Sequence, residues 1–346
     1  MASVVKMLKD DNVIRPPVCV YKQIQYECMM GSIAYGVSND KSDIDVYGFC
    51  IPHKDIIFPH LNGYIQGFGK KPQNFEQFQQ HHIKTSRYPD KEYDISIYSI
   101  IKFFQLVMDN NPNMIDALFV PRRCILYSSK IAEIMRENRR LFLHKGAWHK
   151  FKGYAYSQMH KMSSKSIREF IEFCDFENFQ YDIDLDFAIE YLNTKGCDSS
   201  YISRFKNLYK QVYQAGSLTK RIDSISKYGY DVKFAYHVVR LLNEIEQILT
   251  EHDLDLERNR EQLKAIRRGE WSIDQVKDYF AEKEKFLEQV YLDSTLQYRP
   301  QEGKIKELLL NCLEEHFGSL DSVISIGDKS DNILNDVENL LTKYRK

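Results

Sequence analysis

The segment from Gly31 to Pro52, GSIAYGVSNDKSDIDVYGFCIP, combines residue types that could bind a metal ion. Asp43 and Asp45 lie two residues apart in it, beside apolar residues that are typical of a strand. Side chains two residues apart on a strand point to the same face, so both carboxylates would converge on one point. Carboxylates this close repel each other unless a divalent cation neutralises their charge. The pair therefore indicates a metal site.

The residues before this pair could bind a phosphate group. Gly31-Ser32 ends an apolar run, and a helical turn from Ile33 would present free backbone N–H groups there. A third acid, Asp94, lies in a later strand pattern, EYDISI. A solvated turn or a helix cap is the alternative for the S-D-x-D motif. Because the aspartate pair lies inside an apolar run, the motif favours a phosphate site beside a metal site.

Three strand patterns would place these acids in a mixed α/β unit. They are Gln23–Met30, Ile44–Ile51 and Tyr93–Ile97. The polar segment Asn62–Pro89, between the second and third patterns, predicts a hairpin or a mobile loop over the site. Apolar residues at helical spacing follow at 99–107 and again at 112–119.

From about Ser128 onward, amphipathic patterns predict a helical half with little strand signal. The predicted helices are Lys130–Phe142, Trp148–Phe173, Asp184–Leu192, Ser199–Ala215, Asp231–His252, Ser272–Leu292, Gly303–Phe317 and a peripheral Ile333–Leu341. The expected fold class is α+β, a mixed sheet with helices followed by a mostly α-helical domain. We expect the domains to be 1–127, which carries the acids, 128–318, which binds substrate or nucleotide, and a helical tail at 319–346.

One stretch of the helical half, KYGYDVKFAYHVVR, carries several potential phosphate ligands. On a helix that starts near Asp231, the residues Lys233, His237 and Arg240 fall on one face. They could bind a triphosphate or the backbone of an acceptor, and a solvated helix face is the alternative. Lys227 could contribute, and so could Asp231, which fits a helix N-cap equally well.

Two further groups are weaker candidates. Tyr154, Gln158 and Lys161 share a helical face in HKGAWHKFKGYAYSQMHKM. Tyr154 could stack on a base and Gln158 could read its edge, while plain packing is the alternative for Tyr154. His81-His82, in the polar segment, could close over a substrate or simply be solvated.

Composition limits the classes of function. The 346 residues include 48 Lys+Arg and 49 Asp+Glu, so a general electrostatic grip on nucleic acid is not expected. No window has the apolar length of a membrane span, and the N-terminus lacks an apolar signal core. We therefore expect a cytoplasmic protein that does not act at a membrane. Its 7 cysteines are scattered and never form a C-x-x-C pair, which predicts reduced thiols.

The spacing of Gly-Ser, ten residues, Asp-hydrophobic-Asp and a later lone Asp resembles the DNA polymerase β nucleotidyltransferase superfamily. The resemblance implies that Gly31 and Ser32 bind the triphosphate of a nucleotide. It also implies that Asp43 and Asp45 hold Mg²⁺ (or Mn²⁺), and that Asp94 completes the metal site and helps to deprotonate the attacking hydroxyl.

Longer stretches resemble one branch of that superfamily, the predicted nucleotidyltransferases found beside RNA ligases in bacterial RNA-repair operons and in phages. They are GSIAYGVSNDKSDIDVYG, EYDISIYSIIKFFQLVMDNNPNMIDALFVP and KYGYDVKFAYHVVRLL, and IRRGEWS near Ile266–Ser272 adds to them. The resemblance runs from about residue 24 to about residue 312. It favours a binding role over a solvated face for the stripe that includes Lys233.

Three functions are therefore open on the sequence. The first is a Mg²⁺-dependent nucleotidyltransferase that moves an NMP from an NTP such as ATP to a hydroxyl by a two-metal mechanism, with release of pyrophosphate. Its expected acceptor is an RNA or tRNA end. The second is transfer of AMP to a protein hydroxyl, and the third is a catalytically silent nucleotide-binding protein. Because Asp43, Asp45 and Asp94 are all present, the residues favour an enzyme over the third alternative.

Overall fold

The computed structural model describes residues 3–39, 42–70, 74–163, 165–213 and 218–320, and the predicted helix Ile333–Leu341 lies outside them. The described chain forms two compact units. The first contains the residues up to Ala147, the segment Glu251–Arg258 and the residues from Leu296 onward. The second contains Trp148–Thr250 and Asn259–Thr295. The observed division therefore interleaves along the chain, whereas the residue patterns put one boundary near Ser128.

A five-stranded mixed sheet forms the centre of the first unit. Its strands are β1 (Ile24–Met29), β2 (Ile44–Cys50), β3 (Gln77–Thr85), β4 (Tyr88–Ser99) and β5 (Ile125–Ser128). They are arranged in the order β3-β4-β2-β1-β5. The pair β2 and β4 is parallel, whereas β1 pairs antiparallel with β2 and with β5, and β3 with β4. The predicted mixed sheet is confirmed. The C-terminal part of the polar segment Asn62–Pro89 belongs to a hairpin, β3–β4, which is one of the two alternatives that the sequence left open.

Helices make up most of the remaining chain. They are α1 (Val4–Asp10), α2 (Val18–Lys22), α3 (Gly31–Ala34), α4 (Lys54–Ile57), α5 (Ile100–Met108), α6 (Pro112–Phe119), α7 (Lys130–Glu137), α8 (Ala147–Met162), α9 (Lys165–Glu177), α10 (Leu185–Thr194), α11 (Ser199–Tyr213), α12 (Leu218–Tyr228), α13 (Val232–Glu251), α14 (Arg260–Arg267), α15 (Ile273–Asp293) and α16 (Glu302–Phe317). Short 3₁₀ turns span Pro59–Asn62, Arg122–Cys124 and Arg139–Phe142. Among the described residues, none of these helices has the length and apolar character needed to cross a membrane.

Local signals explain where the helices behind the sheet begin. The Ser99 side chain accepts a hydrogen bond from the Lys102 N–H and so caps α5, and Asn111 caps α6 in the same way. Pro112 occupies the first turn of α6, where its missing N–H costs nothing. The apolar face of α5 is buried, as its 3.6-residue period predicts.

Two predicted helices are divided in the structure. The pattern Trp148–Phe173 contains two separate helices, α8 and α9, and α8 ends just before Ser163. Serine competes for backbone hydrogen bonds and weakens a helix interior, which fits a break at this point. The pattern Lys130–Phe142 contains α7 and a 3₁₀ turn, and α7 packs beside β1 and β5. This packing explains why residues after Ser128 belong to the unit that contains the sheet.

The second unit is helical and packs around its own apolar core. One cluster of that core combines aliphatic and aromatic side chains, and in it Phe170 and Phe205 are fully buried with their ring centroids 6.0 Å apart. The helix α13 is buried on nearly all sides over its second half. All seven cysteines of the chain are free thiols, as predicted, and five of them are buried.

Candidate functional site

Asp45 and Asp94 occupy neighbouring positions on two parallel strands. The register of β2 against β4 pairs Asp45 with Asp94 directly. Adjacent strands lie about 5 Å apart, so paired residues project from the same face of the sheet as close neighbours. Asp43 lies one residue before β2 rather than on it. The sheet thus brings together two of the three predicted acids by strand pairing and places the third at the entry to the strand.

Gly31 approaches the carboxylate of Asp45. A Cβ atom built on Gly31 would lie 2.1 Å from Asp45 Oδ2, and the backbone of Gly31 has φ +60°. Both facts favour glycine at this position, because a side chain would displace the carboxylate or the turn and would strain the backbone. The turn that begins at Gly31 and the carboxylate of Asp45 are therefore close neighbours in the fold.

Hydrogen bonds fix the turn α3 that follows Gly31. The N–H of Tyr35 donates to the Gly31 carbonyl at 3.3 Å, and the N–H of Val37 donates to the Ser32 carbonyl at 2.9 Å. The hydroxyl of Tyr35 donates to Asp116 Oδ2 at 2.7 Å, where both side chains are buried. Sequence reasoning missed Tyr35 and Asp116, although an aspartate inside the apolar pattern of α6 was a usable signal.

The histidine pair of the polar segment lies beside Asp94. The N–H of His82 donates to Asp94 Oδ1 at 2.8 Å, and His81 Nδ1 lies 3.6 Å from the same oxygen. His82 also contacts Glu92, with 2.6 Å between Nδ1 and Oε1. Its φ of +56° coincides with an irregularity in the pairing of β3 with β4. The bulge thus turns a backbone donor towards a predicted catalytic carboxylate, a role that the sequence did not indicate.

The carboxylates suit a hard divalent cation such as Mg²⁺, which prefers oxygen ligands. Over the described ranges, no three His, Cys, Asp or Glu side chains form a group that could hold a metal ion by themselves. Mg²⁺ is commonly bound through one or two carboxylates, with waters and substrate phosphates as its other ligands. The carboxylate oxygens of Asp45 and Asp94 are donors of the type that such an ion takes.

The three residues of the predicted stripe on α13, Lys233, His237 and Arg240, differ in their exposure to solvent. Lys233 is exposed, whereas Arg240 is only 2% exposed and its Nη1 donates to both carboxylate oxygens of Glu244 at 2.9 Å. Burial lowers the pKa of His237 well below its usual value, and the positive charges of Arg240, Lys233 and Arg267 lower it further. The structure therefore leaves Lys233 as the exposed member of the stripe.

Asp231 caps the start of α13, which is one of the two roles that the sequence left open for it. Its Oδ1 accepts a hydrogen bond from the Lys233 N–H at 3.0 Å, and its Oδ2 lies 3.0 Å from Nε of Arg221. Asp231 is buried, so these two contacts account for its position. Lys227 is exposed at the end of α12, with its Nζ 4.8 Å from the centre of the Tyr228 ring.

The weaker candidates on α8 also differ in exposure. Tyr154 is half-buried, Gln158 is buried and Lys161 is exposed. The Nζ of Lys161 lies 5.9 Å from the centre of the Phe234 ring. Of this group, Lys161 has the exposure that a ligand contact requires.

A comparison with protein-family models matches residues 6–308 to one family, described as the RNA repair pathway DNA polymerase beta family. The chain belongs to this family. The match confirms the resemblance predicted from the Gly-Ser and Asp-hydrophobic-Asp spacing and covers both halves of the chain. Membership in the RNA repair pathway DNA polymerase beta family supports a polymerase-β-like nucleotidyltransferase.

The comparisons with curated proteins and with solved structures give little further information about this chain. No curated protein matches the chain. Among solved structures, the chain is similar to a nucleotidyltransferase-like protein from Exiguobacterium sibiricum 255-15. The two chains are 12% identical over 90% of each, with a TM-score of 0.25, and a similarity this low carries no argument about function.

Proposed function

We propose that this member of the RNA repair pathway DNA polymerase beta family transfers an NMP from an NTP to a hydroxyl at an RNA or tRNA end. One observation carries the proposal. Asp45 is paired with Asp94 across two parallel strands, and Gly31 lies against its carboxylate. This arrangement supports the proposal, because a backbone turn that could receive a triphosphate lies next to carboxylates that could hold its metal ion.

In the proposed site, the turn of Gly31-Ser32 binds the triphosphate through its backbone. Asp43, Asp45 and Asp94 would hold Mg²⁺ (or Mn²⁺). When bound there, the metal would neutralise phosphate charge, lower the pKa of the acceptor hydroxyl and stabilise the pyrophosphate as it leaves. Asp94 receives the proton of that hydroxyl. The N–H of His82, which donates to Asp94 Oδ1, orients this carboxylate for the transfer.

The acceptor is bound by a few cationic side chains. The net charge of −1 argues against a long nucleic-acid footprint but is compatible with a short RNA end. Lys161, Lys227 and Lys233 are exposed and are the proposed contacts. His237 and Arg240 are weaker candidates for this role. Burial lowers the pKa of His237 and so disfavours its charged form, and a nucleotide contact by Arg240 would have to displace Glu244.

The deciding experiment measures where the label goes. The purified chain is incubated with Mg²⁺ and each of four NTPs labelled on the α-phosphate, with total tRNA and cleaved RNA as acceptors. Label in RNA supports the proposal and identifies the donor base. Label in protein supports AMP transfer to a protein hydroxyl instead. Absence of transfer, with nucleotide still bound, supports a catalytically silent nucleotide-binding protein.

A further inference from the structure

A basic side chain outside the predicted site contacts the proposed phosphate turn. Arg123, in the 3₁₀ turn Arg122–Cys124, donates from Nη2 to the carbonyl oxygen of Ile33 at 2.9 Å. Ile33 is the third residue of the turn Gly31–Ala34. The same carbonyl also accepts a hydrogen bond from the Gly36 N–H at 3.2 Å. Arg123 therefore holds the C-terminal end of the turn whose N-terminal end lies against Asp45.

Glu257 fixes Arg123 in this position. Its Oε1 lies 2.7 Å from Arg123 Nη2, and its Oε2 lies 3.4 Å from Arg123 Nε. A planar guanidinium held by both oxygens of a carboxylate has a defined orientation, which a single contact would not give. The hydrogen bond to Glu257 also raises the pKa of Arg123. The arginine thus bridges a carboxylate and a carbonyl and stays charged.

Glu257 belongs to an isolated piece of the first unit, Glu251–Arg258, which we name the return segment. Leu254 and Leu256 are buried and anchor it. Asp253 of the return segment pairs with Arg140 in a second, separate ion pair. The segment therefore has its own anchors, and the contact between Glu257 and Arg123 is not needed to keep it in place.

The ion pair between Arg123 and Glu257 is too exposed to contribute much to the free energy of unfolding. The side chain of Arg123 is 47% exposed and that of Glu257 is 25% exposed. Surface pairs of this kind contribute little to folding because water screens the two charges. A positioning role explains its geometry better, since the shared atom Nη2 contacts both the carboxylate and the turn.

We propose that Arg123 and Glu257 are positioning residues that hold the Gly31–Ala34 turn in the conformation that binds the triphosphate, and this inference rests on the proposed function. Arg123 acts on the backbone of the turn and Glu257 acts through Arg123. Removal of either side chain loosens the carbonyl of Ile33, so the turn binds phosphate less well. The carboxylates that carry the reaction keep their places, so kcat changes less than KM.

The test combines two measurements on the full chain. One is KM and kcat for the NTP that the wild-type protein uses, and the other is the Kd of inorganic tripolyphosphate with Mg²⁺. Loss of a charge-assisted hydrogen bond predicts a rise of about tenfold in KM and Kd for Arg123→Ala. Glu257→Ala should raise both in the same direction, and Glu257→Gln should restore part of the loss. The Tm of each variant should stay within about 2 °C of wild type.

Two substitutions serve as matched controls. Arg140→Ala breaks the other ion pair of the return segment, and Arg122→Ala breaks the neighbouring pair with Glu133. Neither should alter KM or Kd. An unchanged KM in Arg123→Ala would overturn the inference. A raised KM in Arg123→Ala with an unaffected Glu257→Ala would also overturn it, because Arg123 would then act on the phosphate directly. A wild-type protein that neither binds tripolyphosphate nor transfers a nucleotide would instead refute the proposed function.

Discussion

The carboxylate of Asp45 faces Gly31 and is paired across the sheet with Asp94. Asp45 therefore lies beside both the proposed phosphate turn and a second proposed metal ligand, Asp94. A substitution that removes the negative charge of Asp45 but keeps the shape of its side chain therefore tests the role of that charge in the reaction.

Asp45→Asn is expected to lower transfer by about 100-fold or more, because an amide cannot neutralise a metal ion as a carboxylate does. The amide has nearly the same shape, so the fold should persist, and circular dichroism checks this. Asp90→Asn is the matched control, since Asp90 is an exposed aspartate near the start of β4. Retained turnover in Asp45→Asn would contradict the assignment of this residue.

Gly31→Ala should destabilise the protein and impair nucleotide binding. The added methyl group would lie 2.1 Å from Asp45 Oδ2, so the turn or the carboxylate must move. Positive φ alone costs about 1–2 kcal/mol for a non-glycine residue. Gly63→Ala provides the control, because Gly63 has φ +77° and a methyl group added there would have no atom within 4 Å. A loss of nucleotide affinity in both variants alike would show that the contact with Asp45 is unimportant.

At the level of elements, β1 carries a buried carboxylate that caps a helix. Glu27 on β1 is fully buried and accepts hydrogen bonds from the Ser3 hydroxyl at 2.7 Å and from the N–H of Val4 at 2.7 Å and Val5 at 3.1 Å. These donors belong to the start of α1. Burial raises the pKa of Glu27, and the hydrogen bonds oppose this only in part.

This raised pKa predicts a pH-dependent stability. The folded state binds the proton of Glu27 more tightly than the unfolded state does. The contribution of this proton to the free energy of unfolding is therefore complete below the unfolded pKa and is lost as pH rises through the folded pKa. The free energy of unfolding of wild type, minus that of Glu27→Gln, should therefore fall as pH rises from about 4 to about 7. Urea unfolding at several pH values measures it. Glu137→Gln, at an exposed position on α7, should show no such trend.

The β3–β4 hairpin shows how an element can position a site residue that its sequence does not mark. The polar segment gave either a hairpin or a loop, and strand pairing made it a hairpin with a bulge at His81-His82. Because the bulge turns the N–H of His82 towards Asp94, an irregularity of pairing supplies the contact. Residue type alone could not predict this contact, since it involves the backbone.

For the whole molecule, near-neutral charge means that RNA binding depends on a few local cations. Lys233→Ala should weaken RNA binding and lower the steepness of its salt dependence by roughly 0.7–1, as expected for the loss of one phosphate contact. Fluorescence anisotropy with labelled tRNA over a range of salt concentrations measures both quantities. Lys206→Ala changes another exposed lysine of the helical unit and should leave them unaltered. If Lys233→Ala and Lys206→Ala bind RNA equally well, Lys233 belongs to a solvated helix face and does not contact the RNA.

The sequence by itself determined the local features of this protein. Apolar periodicity located most strands and helices, and the Gly-Ser and Asp-hydrophobic-Asp spacing predicted the family that the comparison confirmed. These features depend on residues close together in the chain, which is why they can be predicted without a fold. The strand β5 and the helices α1, α2, α4, α12 and α14 were not predicted. Of these helices, α1, α2 and α4 have 7, 5 and 4 residues, which is too few turns for an apolar period to be recognised.

The tertiary structure decided which distant residues meet and which faces are covered. The pairing of Asp45 with Asp94 follows from the register of two strands separated by the hairpin, and the contact of Arg123 with Ile33 joins residues 90 positions apart. Helical spacing correctly put Lys233 and Arg240 on one face, yet only Lys233 is exposed. The period of a helix specifies which residues share a face, whereas burial depends on what packs there, and α13 is covered on nearly all sides around Arg240.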